Sequence, residues 1–246
     1  MIGAVQRNRA LGILAAAGVL LAGCGSSSSS NSSSPPHSSQ GAFSAYARSV
    51  NLRAGDLPGG APGSTEHGHE ERESGSQSAV ARCIGAPNRP HNVLRVSSPT
   101  LGDPKALNAA SSVSTDLLAP SDPKEFAARR AADLRIYRGT RAAGCNAEAL
   151  LGKLRSQGLQ HATAVALANP LSGRNGAIAY RVLLKGGLPP TNGVSRATQV
   201  YVDVVLLFVG RAAVEMEMSN IPTPPPLATE QRLVAILRER AEAHSF

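Results

Sequence analysis
Hydrophobic positions along this chain recur with two different periods, and the switches between them mark out its elements. In residues 42–50, Phe43, Tyr46 and Val50 are spaced three and four apart, which predicts a helix. Residues 78–83 are a short apolar segment open to helix or strand. Residues 92–98, with Val93, Leu94 and Val96, read as a strand, and 109–118 alternate so that Val113, Thr115 and Leu117 share one side. The period then turns helical. Asp122-Pro123-Lys124-Glu125 is a start signal: Asp can cap free amides, Pro suits the first helical position, and Glu three residues on can reach back. Phe126, Ala127, Ala131, Leu134 and Tyr137 follow as an apolar stripe, with Arg129, Arg130, Arg135, Arg138 and Arg141 largely off it. A second helix is predicted around Ala147, Leu150, Leu151 and Leu154, capped by Asn146 and stopped at Gly158.

Beyond residue 160 the period of two takes over. Residues 162–167 form one strand, ended by Asn169-Pro170. Residues 176–185 set Ile178, Tyr180, Val182 and Leu184 against Arg181 and Lys185. Residues 198–209 are nearly all β-branched or apolar, as a central strand buried on both faces requires. Gly210-Arg211 turns the chain into 213–219, where Val214, Met216 and Met218 point one way and Glu215 and Glu217 the other, toward water. Pro222 and Pro224 to Pro226 end the strands. A closing helix, Leu227–Ala243, then has Leu233, Val234, Leu237 and Ala241 inside and Glu230, Arg232, Arg238, Glu239 and Glu242 outside. Strands joined by short turns pair antiparallel, so the fold class is α+β: a single domain with an antiparallel β-sheet flanked by helices.

The amino terminus carries a different signal. Arg7 and Arg9 precede an apolar run over residues 11–22 that ends in Leu21-Ala22-Gly23-Cys24. A charged start, a dozen apolar residues and small residues at the cut make residues 1–23 a signal peptide. The last four residues resemble the lipobox of bacterial lipoproteins, whose cysteine is acylated, palmitate being a typical chain, and becomes the mature N-terminus. Cys24 is therefore the expected lipidation site. A polar, Ser-rich tract brings the tether to residues 24–41, with a reach of roughly 20–25 Å. The domain of residues 42–246 is expected to stand on the extracytoplasmic face of a cell membrane.

Composition narrows the partners. No Trp, four Tyr and four Phe leave few aromatic faces for stacking bases, so no nucleic-acid partner is expected. The formal charge is +8; loss of Arg7 and Arg9 with the signal peptide brings it near +6. The strong bias of Arg over Lys, with abundant Ala and Gly, looks like a GC-rich, actinobacterial genome. Three cysteines leave Cys83 and Cys145 as a pair once Cys24 is assigned, and outside the cell such a pair reads as a disulfide. Closing that loop of 62 residues' separation is worth about 4 kcal/mol in the chain-entropy picture.

Candidate chemistry is sparse. His67-x-His69 beside Glu66, Glu70 and Glu71 contains metal-ligand types, but nothing there fixes the backbone, so no metal and no cofactor is expected. A hydrolase would need an activated nucleophile; there is no Gly-x-Ser-x-Gly elbow, and His91 and His161 are the histidines nearest to strands. Glu215 and Glu217 share a strand face at a spacing compatible with paired-carboxylate work, though the wet face of a strand accounts for them. No catalytic residue is assigned. Leu183, Leu206, Leu207, Met216 and Met218 would line an apolar cavity if the sheet enclosed one. The arginines of the first long helix suggest docking on anionic lipid heads or wall polymers.

The lipobox, the Ser-rich tether, "NLRAGDLPGG" from Asn51, the cysteines at 83 and 145, and "VYVDVVLLFVGRAAVEMEMS" before a Pro-rich break together carry a family resemblance. The chain resembles actinobacterial surface lipoproteins similar to the extracellular sensor domain of the mycobacterial kinase PknH. The resemblance implies a PsbP-like sandwich and a non-catalytic domain that senses a ligand at the cell surface. The functional expectation is thus a lipid-anchored, sensor-like domain that binds a small ligand or an envelope protein. The alternative is a carrier of lipid or glycolipid cargo; a secreted hydrolase ranks below both.

Overall fold
The computed structural model describes residues 37–57, 70–73, 79–86, 93–103, 108–116, 123–156, 162–187 and 197–244. Cys24 and the signal peptide, His67, His69, His91 and His161 lie outside these residues. Among the described residues, eight strands join in one antiparallel sheet: β1 (Glu70–Glu73), β2 (Val93–Ser97), β3 (Leu101–Asp103), β4 (Asn108–Asp116), β5 (Thr163–Leu167), β6 (Ile178–Gly187), β7 (Ala197–Val209) and β8 (Ala212–Asn220). Their spatial order is β1-β2-β4-β8-β7-β6-β5, with β3 also paired to β4. Among the same residues, five α-helices flank the sheet: α1 (His37–Val50), α2 (Ala79–Ile84), α3 (Pro123–Tyr137), α4 (Thr140–Ser156) and α5 (Leu227–Ala243).

Side-chain alternation divides the core into two layers. Ile178, Tyr180, Val182, Val202, Val204 and Leu206 face Ala142, Ala147 and Leu150 of α4, with Leu134 and Tyr137 of α3 packed alongside. Ala179, Val205, Leu207, Val214, Met216 and Met218 face Phe43, Ala47 and Val50 of α1 and Leu233, Leu237 and Ala241 of α5. The sheet is therefore covered by helices on both sides. The Cys83–Cys145 disulfide, with Cα atoms 5.6 Å apart, fastens short α2 to α4. This is the antiparallel, helix-flanked α+β architecture that the sequence pattern predicts.

The differences are local and have physical causes. Helix α1 begins at His37, so the last five residues of the tether drawn to residue 41 lie inside a helix. Helix α4 begins at Thr140, a turn and a half before Asn146, because α3 stops at Tyr137 and Gly139 turns the chain directly into it. Asn146 is thus no cap; it is buried and donates to the Ala142 carbonyl at 2.9 Å. On α3, Ala127 and Ala131 are exposed, while Leu134 and Tyr137 of the expected stripe pack against the core. Glu215 and Glu217 do not face water: they are 7 % and 6 % exposed, on the α4 side of the sheet. Glu230 is wholly buried on the inner face of α5 instead of lying outside.

A candidate ligand groove
The segment 168–177, between β5 and β6, is built from consecutive turns. The Leu171 amide donates to Asn169 Oδ1 at 2.8 Å, the Arg174 amide to the Leu171 carbonyl at 3.0 Å, and the Ala177 amide to the Arg174 carbonyl at 2.9 Å. Gly173 and Gly176 have φ of +79° and +72°, a region that side chains with a Cβ rarely adopt. Leu171 and Ala177 are buried in the core, which leaves Arg174 at the exposed crest.

This segment is pinned to α5. Asn169 Nδ2 donates to Glu230 Oε1 at 3.2 Å and to the Tyr180 carbonyl at 3.4 Å. Beneath it, Arg181 and Asp203 stand in register on β6 and β7 and form a forked pair, Nε to Oδ1 at 2.7 Å and Nη2 to Oδ2 at 2.5 Å. Arg181 Nη2 lies 3.8 Å from Glu230 Oε2, which accepts no hydrogen bond. One guanidinium thus serves two buried carboxylates. Burial first, and the charge of Asp203 second, push the Glu230 carboxyl up to about 7, against the Asn169 hydrogen bond and the Arg181 charge. Burial likewise raises Asp203, with Arg181 opposing. Sealed under α5, the cluster serves as a joint between segment 168–177 and the helix.

The two walls so joined enclose a groove of about 720 Å³. Leu171, Arg174 and Ala177 line one side; Gln231, Val234, Ala235, Arg238, Glu239 and Glu242 of α5 line the other. A second hollow of about 370 Å³ adjoins at Gly176 and shares Arg238 and Glu242. Its far wall is Arg130 and Leu134 on one face of α3 and Arg138 one residue past its end, spaced four apart, with Phe208 to Gly210 at the β7–β8 turn. Arg130 is committed to that turn, donating to the Phe208 carbonyl at 2.5 Å. The guanidinium groups of Arg138, Arg174 and Arg238 have no hydrogen bond or ion pair among the described residues.

Sequence reasoning singled out Arg130 and Arg138 but not the walls that bring Arg174 and Arg238 to them. Arg135 and Arg141 are exposed and line neither hollow. The five apolar residues proposed for a cavity divide between layers: Leu206 is on the α4 side and Leu207, Met216 and Met218 on the α5 side, with Leu183 there too by alternation. They cannot line one space. The Glu215 and Glu217 pair is closed to substrate by its burial; burial raises the Glu215 carboxyl, and the charge of buried Arg95 opposes the shift. Among the described residues, no group of three or more His, Cys, Asp or Glu is placed to hold a metal, and no helix is long and apolar enough to cross a membrane. No protein family, curated protein or solved structure matches the chain.

Proposed function
We propose that this chain is a lipid-anchored domain on the extracytoplasmic face of a cell membrane, and that it works by binding a ligand, without catalysis. The anchor is the acylated sulfur of Cys24, after removal of residues 1–23. The binding site is the groove between segment 168–177 and α5. The observation that carries the binding role is that groove: about 720 Å³, with both walls held by the buried Asn169–Glu230 hydrogen bond. A site of that size whose walls are held before the ligand arrives avoids much of the ordering cost of binding. The likeness to surface lipoproteins with sensor domains is in keeping with this reading. The carrier reading has less support, since Leu206 lies in a different layer from Leu207, Met216 and Met218.

Two measurements test the two halves. Metabolic labelling with a palmitate analogue should mark the wild type and leave Cys24→Ala unmarked; equal marking removes the anchor. Hydrogen exchange of the full chain, with and without a lipid and metabolite extract of the cell envelope, should show new protection at 171–177 and 231–242. Protection elsewhere, or none, removes the groove.

A further inference from the structure
We infer that the groove and the hollow adjoining it together clasp the phosphate of an anionic membrane-lipid head, with Arg138, Arg174 and Arg238 as its ligands. The inference rests on the groove being the binding site and adds the class of ligand. Several arginines of this protein are put to internal use, and Arg135, Arg141 and Arg232 stand exposed outside both hollows. Arg53 donates to the Ser49 carbonyl, Arg130 to that of Phe208, and Arg181, Arg211 and Arg240 pair with Asp203, Asp116 and Asp56. Arg174 of segment 168–177 and Arg238 of α5 line the groove, Arg238 and Arg138, the residue just past α3, line the adjoining hollow, and the three guanidinium groups have no partner among the described residues. Planar guanidinium groups arriving from different directions suit the tetrahedral oxygens of a phosphate.

Two further features narrow the ligand. Glu239 and Glu242 stand on the same rim. A polyanion spread along it would meet both carboxylates, whereas a compact single phosphate can sit among the guanidinium groups and avoid them. The floor beside the arginines is apolar, made by Leu171, Ala177, Val234 and Ala235. That neighbourhood fits the glycerol and first acyl carbons next to a lipid phosphate better than a free, fully hydrated ion.

The test uses the full chain as Cys24→Ser, so that no acyl anchor masks binding, and sedimentation with vesicles. With about one-third phosphatidylglycerol in phosphatidylcholine, binding is expected; the Arg138→Ala/Arg174→Ala/Arg238→Ala variant should partition about tenfold more weakly. The control is Arg135→Ala/Arg141→Ala/Arg232→Ala, of equal charge, exposed and outside both hollows, which should bind like its parent. Equal losses in the two triples would mean general surface attraction and overturn the inference. So would absence of binding to these vesicles, or inorganic phosphate alone occupying the groove as tightly as the vesicles do. Hydrogen exchange on the same samples separates the two levels. Protection at 171–177 by the envelope extract but not by the vesicles leaves the groove in place and removes only the lipid phosphate.

Discussion
Glu230 is fully buried, and its burial decides how the protein answers to pH. Its carboxyl lies near 7 in the fold against 4.5 ordinarily. Between those values the folded state holds a proton that the unfolded state has released, so stability is greatest below about pH 4.5 for this group and falls as pH rises through 7. Glu230→Gln removes the titration and keeps an oxygen for Asn169. The variant's melting temperature should therefore change little between pH 5 and 8, while the wild type's falls. At pH 8 the variant should be the more stable by about 2–3 kcal/mol, measurable by urea titration. A wild-type profile that is flat or rises over this range would contradict the assignment. The sequence contains a sign of this residue's place. Glu230, Leu233, Val234, Leu237 and Ala241 follow one helical stripe, but a charge argued for the outside. Glu215 and Glu217 misled in the same way. Period two places them correctly opposite Met216 and Met218, but it cannot reveal that a second layer covers that face too.

At the scale of elements, α2 depends on others most. It has six residues, and its packing is against α4, through Cys83–Cys145. A helix so short has no stability of its own in water. Cys83→Ser/Cys145→Ser should lower the unfolding free energy by up to about 4 kcal/mol, and hydrogen exchange should quicken first at 79–84. Uniform quickening over the whole chain would show that α2 is not separately fastened. The pairing was legible from the cysteine count once Cys24 was set aside for the lipid. The start of α4 was not, because Cys145 and Asn146 looked like a terminus: Gly144 precedes them and the apolar residues follow. Packing of Ala142 against β6 and β7 overrides the glycine and extends the helix back to Thr140. The groove was half legible for a related reason. Periodicity aligns Arg138, just past α3, with Arg130 on that helix, but only the turns of segment 168–177 carry Arg174 to meet them.

At the scale of the whole molecule, the first and last helices of the described residues are fastened together. Asp56, just past α1, accepts Arg240 of α5 at 2.7 and 2.8 Å, and Arg240 also reaches the Asn51 carbonyl at 3.1 Å. Burial alone would raise the Asp56 carboxyl, but the hydrogen bonds from Arg240 and the Arg53 amide, with the charges of both arginines, hold it below 3.8. Its support is present above about pH 4 and is lost as pH falls through the lowered value. Asp56→Asn should cost about 2 kcal/mol at pH 7. The gap to wild type should close in acid; a gap that persists at pH 2 would assign the loss to packing. This pair also gives a reason for the "NLRAGDLPGG" stretch. Asn51 joins Val96, Ser112 and Ser114 in a buried network, and Asp56 supplies the clasp to α5. A mechanical consequence follows. Any pull on the amino end enters the body through α1, whose exit is fixed at once to the sheet by Asn51 and to the last helix by Asp56. Those fastenings share the strain in parallel, so the body should resist tugging up to a single yield force and then give way abruptly, with no gradual peeling.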